Sequence, residues 1–190
     1  MKVQKIICLL ALVAGGLAFF YSLGIMTDLY DALFSTMRKA DKTVTTVPGS
    51  YVYYEMQDFN KLFVKLCIVE ILTAVFLFIN NTNIRRRYYI GNYIAIAIYS
   101  IYSIGFVCWA HTQIEMYKAK FLQIDFDALK AHAEEWNTLY TDSTFWFDVH
   151  YFVLGLVLLL AVLHIVNMFW KISLMKSEAL LLKGGKEVSE

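Results

Sequence analysis

Along this chain, polar interruptions vanish over four stretches: residues 6–26, 62–80, 88–110 and 149–170. A helix on a soluble protein breaks its apolar run every few residues to build a wet face. Each of these stretches instead approaches the ~20 apolar residues with which a helix crosses a hydrocarbon core about 30 Å thick. The first, third and fourth carry no Asp, Glu, Lys or Arg, and the second carries Lys65 and Glu70. The pattern predicts an all-α integral membrane protein. Residues 1–190 form one membrane domain, an antiparallel four-transmembrane-helix bundle with a small extracytoplasmic helical cap.

The connecting segments add the cap. In the loop over 27–61, Leu29, Tyr30, Leu33, Phe34 and Met37 recur at helical spacing and predict a short amphipathic helix. "KTVTTVPGSYVYY" then predicts extended chain around a turn at Pro48 and Gly49. In the loop over 111–148, Phe126, Leu129, Ala133, Trp136 and Tyr140 form one stripe, with Asp125 or Asp127 as the N-cap. Such stripes need cover from each other, from headgroups or from another subunit. After the last span, "SEALLLKGGKEVSE" reads as a short helix that Gly184 and Gly185 end. The one proline, Pro48, lies in a loop, so the spans lack the Gly- or Pro-interrupted helix pairs typical of secondary transporters.

Composition agrees with the pattern: 59% of the residues are hydrophobic, against about 45–50% in soluble domains. The net charge of +1 says little, but its distribution sets an orientation. Lys2 and Lys5, Arg85 to Arg87, and Lys171, Lys176, Lys183 and Lys186 share one side, which the positive-inside rule makes the cytoplasm. The expectation is a multi-pass protein of the cell membrane with both termini and the 171–190 tail cytoplasmic and two extracytoplasmic loops. Trp109, Trp146, Trp170, Tyr88 and Tyr89 stand at span ends, as an aromatic belt requires. The basic start and "GLA" at Ala18 resemble a signal peptide, yet the apolar run continues through "FFYSLGIM", so a retained span is expected. No loop looks like a nucleic-acid surface.

Cys8, Cys67 and Cys108 all fall within spans and read as packing residues. Disulfide-stapled ectodomains are thereby excluded, as are four-helix thiol oxidoreductases with cysteine pairs at the membrane surface. Lys65 lies near the outer boundary, where its stem can carry the ammonium to headgroups or to Asp58. Glu70 has no such escape, being about 12 Å from either edge. A charge at mid-membrane costs on the order of 3 kcal/mol, and each surrounding Leu, Ile, Val or Phe returns only about 0.3–0.6. Glu70 therefore needs shelter from within the bundle.

Cys67, Glu70, Thr73 and Ala74 form a small, polar face, and Ala11, Gly15, Ala18 and Ser22 form another, with Gly15 and Gly16 leaving room at the depth of Glu70. Tyr99 or Ser103 in the third span can hydrogen-bond to it, and His164 and Asn167 in the fourth complete the polar set. Two readings follow for Glu70, Tyr99, Ser103, His164 and Asn167. Either a neutral Glu70 is a packing element, or Glu70 binds a proton or ion in an oligomeric transport path. His164 lies roughly 10 Å from Glu70 in depth, so Tyr99 or water would have to connect them. Four short helices and a membrane glutamate resemble the small multidrug transporters in topology, but those carry the glutamate in their first helix and have short loops.

His150 and His164 are fourteen residues apart on one helical face, a spacing similar to the paired ligands of cytochrome b subunits. The third span offers only His111, so the resemblance implies at most one outer haem b held by His111 and His150, with His164 left over. His132 and Glu135 share a helix face but read as solvated, and no metal ligand is assigned. Phosphate loops, nucleophile elbows and HExxH motifs are absent from the sequence. The function expected is non-enzymatic: an accessory or structural subunit without a cofactor. Its partners are the lipid bilayer and other membrane subunits, or itself as a homo-oligomer.

Overall fold

The computed structural model describes residues 2–27, 47–82, 88–136 and 141–187. Those residues contain five helices and no strand: α1 (Lys2–Thr27), α2 (Val52–Asn81), α3 (Ile90–Phe121), α4 (Phe126–Trp136) and α5 (Phe145–Glu187). All but α4 are long and apolar enough to cross a membrane. The predicted helix at Leu29 to Met37, the arginines at 85–87 and Tyr140 lie outside the described residues.

The long helices run well past the apolar stretches that announced them. α2 begins at Val52, ten residues before the apolar run, and α3 continues to Phe121. Two expectations are corrected here. Tyr51 ends a turn and Tyr53 and Tyr54 are helical, not extended, because Gly49 at φ 82° reverses the chain and Val52 N–H bonds back to its carbonyl. Nor do Gly184 and Gly185 end a separate helix, since α5 passes through them to Glu187. Glycine lowers helix propensity by about 1 kcal/mol without forbidding the conformation.

α1 packs on α2, α2 on α3, α3 on α5 and α5 on α1, closing a ring of four. Contacts at the ring's ends give its sense. Gln4 at the start of α1 meets Asn81 at the end of α2, and Lys118 late in α3 meets Asp148 early in α5. The core divides by depth. Toward the α4 end it is aromatic, with Phe59 stacked on Phe63 and Phe63 on Phe106, and it runs on through Tyr117, Phe121 and Phe147 to Leu129 of α4. Toward the chain termini it is built of small residues, Cys8, Ala11, Ala74, Ala95 and Ala161, around Tyr99.

The outward surface is the inverse of a soluble protein's. Phe20, Ile79, Ile101 and Phe152 are each more than 60% exposed on their four different helices. Hydrocarbon is the solvent that makes such a surface stable. At the α4 end, Asp125 N–H donates to the carbonyl of Pro48 and the Asp125 carboxylate caps α4 by accepting from Ala128 N–H at 3.0 Å. Asp125 is thus the N-cap, and the first connecting segment is tied to the second.

Candidate functional site

Glu70 is fully buried on α2, and the structure decides which neighbour shelters it. Ser103 Oγ of α3 lies 2.9 Å from one carboxyl oxygen and 3.2 Å from the other. Serine rather than tyrosine fills this role because Tyr99, also buried, turns its ring edge-on to His164 at 5.2 Å. The glycines of α1 do something else. A β-carbon on Gly15 would come within 3.3 Å of the Ile71 side chain, so glycine there admits α2 itself and not the carboxyl group of Glu70. One face of α2 does carry the small and polar residues as expected. Cys67, Glu70 and Ala74 are buried, and Cys67 donates through Sγ–H to the Ala18 carbonyl at 3.4 Å.

His164 is buried and bonded at both nitrogens. Nδ1–H donates to the Leu160 carbonyl at 2.8 Å, leaving Nε2 to accept from the Cys8 thiol at 3.6 Å. Tyr99 and His164 are thus together, Glu70 and Ser103 are together, and Asn167 stands apart in a groove with Gln4, Trp170 and Lys171. Lys65 is exposed, and Asp58 pairs with Lys61 at 3.6 Å instead of with Lys65.

Toward the α4 end, His111 and His150 face each other from α3 and α5. Phe147 carbonyl oxygen accepts from His150 Nδ1–H, which leaves His150 Nε2 to accept from His111 Nδ1–H at 2.9 Å. Glu115, one turn beyond His111, brings Oε1 to 3.7 Å from the same His150 nitrogen and accepts from Tyr151 Oη at 2.8 Å. Lys118 and Asp148 form an ion pair beside this group, with the ammonium 5.9 Å from the Tyr151 ring. His111 is exposed, Glu115 half-buried and His150 buried.

The opposite end is closed by amides. Gln4 donates to the Asn81 carbonyl at 2.8 Å, Asn92 to the Asn80 carbonyl at 2.6 Å, and Lys171 to Gln4 Oε1 at 2.9 Å while standing 4.0 Å from the Tyr88 ring. This clasp joins all four long helices. Sequence reasoning missed it, together with Glu115, Tyr151 and the Cys8–His164 pair. The available signals were amide residues at the span ends and the four-residue spacing of His111 and Glu115, which places both on one helix face. The chain matches no known protein family, no curated protein and no solved structure.

Proposed function

We propose that this chain is a multi-pass subunit of the cell membrane that acts without catalysis, as an accessory or structural partner of other membrane proteins or of its own copies. Both termini face the cytoplasm in this reading, the bundle is antiparallel, and α4 with the turn at Gly49 forms an extracytoplasmic cap. The observation that carries it is the state of Glu70. A mid-membrane carboxyl that is fully buried with both oxygens against Ser103 is spent on joining α2 to α3. His164 and Cys67 in the bundle centre are likewise bonded to neighbours, whereas the buried Tyr99 and Ser100 hydroxyls have no hydrogen-bond partner among the described residues.

The same glutamate supports the rival, proton- or ion-coupled transport by an oligomer. Glu70→Gln separates the two. A joining role accepts the amide, which still bonds to Ser103, so the variant should fold and keep its companions in native mass spectrometry of detergent-released complexes. Proton coupling predicts the same assembly but a ΔpH-driven flux in liposomes that the unsubstituted chain shows and Glu70→Gln loses, whereas a joining role predicts no flux that depends on Glu70. A haem reading is tested by the Soret band, and it would require two rings now hydrogen-bonded at 2.9 Å to part around an iron.

A further inference from the structure

Beyond that reading, we propose that His111, Glu115 and His150 form a binding site for a divalent first-row transition metal, with zinc the best match. One ligand atom from each lies within 4.8 Å of the other two. In a four-coordinate zinc site, bonds of about 2.0–2.2 Å set neighbouring donors roughly 3.3–3.5 Å apart. His150 Nε2 stands 2.9 Å from His111 Nδ1 and 3.7 Å from Glu115 Oε1, so the two edges bracket that spacing. Movements of a few tenths of an ångström open one and close the other.

The surroundings are those a metal ligand set needs. The second ring nitrogen of a ligating histidine is characteristically engaged by a carbonyl or carboxylate, which aims the free nitrogen at the ion. Phe147 carbonyl does this for His150, and the Tyr151 hydroxyl donates to Glu115 Oε1 and so fixes that carboxylate beside the two rings. Besides those movements, binding requires that the proton between the two rings move from Nδ1 to Nε2 of His111, a residue that is exposed. The nearby charges admit a cation, because Glu115 and Asp148 outnumber Lys118 and Asp148 already holds the lysine. Two imidazoles and one carboxylate suit zinc and leave a fourth position for water. His111 and Glu115 share α3 while His150 comes from α5, so the ion would pin two helices where the bundle meets the α4 end.

Cobalt titration of the chelator-stripped full chain in mild detergent tests the proposal. The expected result is one tight equivalent giving the intense visible bands of four-coordinate cobalt, which zinc then displaces. Tyr151→Phe should weaken binding about 10–100-fold, and His111→Ala and Glu115→Gln should weaken it further. These two ligands are not fully buried, so helix content by circular dichroism should be unchanged in both variants. The proposal is overturned if no four-coordinate bands appear, or if they survive either His111→Ala or Glu115→Gln at undiminished affinity.

Discussion

At the scale of the residue, Glu70 shows how a polar group is kept in hydrocarbon. Its depth follows from counting along the span, while the choice of Ser103 over Tyr99 depends on how α3 is rotated against α2. Removing the serine leaves the carboxyl with no other side-chain hydrogen bond among the described residues, which costs about 1–3 kcal/mol for a buried polar group. Ser103→Ala should therefore lower the unfolding midpoint in detergent. Glu70→Leu combined with Ser103→Ala should recover most of that loss, because replacing both partners of a buried pair by apolar groups is often nearly neutral. A double change less stable than Ser103→Ala alone would show that Glu70 has further partners.

At the scale of the element, the helices are longer than the apolar runs that reveal them. Hydropathy registers where lipid is, whereas hydrogen bonding and packing continue the helix into water. α3 keeps burying Ile114, Tyr117 and Phe121 beyond residue 110, against partners that include Tyr53 of α2 and Phe147 of α5. The turn that starts α2 hangs on Gly49, where φ is 82° and an added β-carbon would lie 2.8 Å from the Gln123 carbonyl oxygen. Gly49→Ala should destabilise by about 1–3 kcal/mol. Gly16→Ala, which meets nothing within 4 Å, should be neutral or stabilise by up to about 1 kcal/mol. Thermal unfolding of the two variants side by side measures the contrast.

At the scale of the whole molecule, the two ends of the bundle differ in kind. One is held by the amide clasp and Lys171, the other by aromatic packing and ion pairs, including Lys120 with Glu55. The proposed orientation has a direct check in intact cells. In a Cys108→Ser background, Gln123→Cys beside α4 should react with a membrane-impermeant maleimide, and Ser177→Cys on the far part of α5 should react only after lysis. The reverse pattern would invert the topology. Both positions are exposed, so reactivity reports the compartment.

The sequence by itself determined the all-helical class and four long helices apolar enough to cross a membrane, and it narrowed the α4 cap to Asp125 or Asp127, of which the structure uses Asp125. Each of these follows from local information: the length of an apolar run against the thickness of lipid, or one side chain near its own backbone. It also placed Glu70 at mid-span and set His111 and His150 at the same end of the bundle. Only the tertiary structure decided that Ser103 holds Glu70, that Gly15 admits Ile71, that Cys8 meets His164 and that Glu115 joins the two histidines. Those pairings depend on the rotation of each helix about its axis. A span that is apolar nearly all round carries little periodic signal to set that rotation, so packing sets it instead.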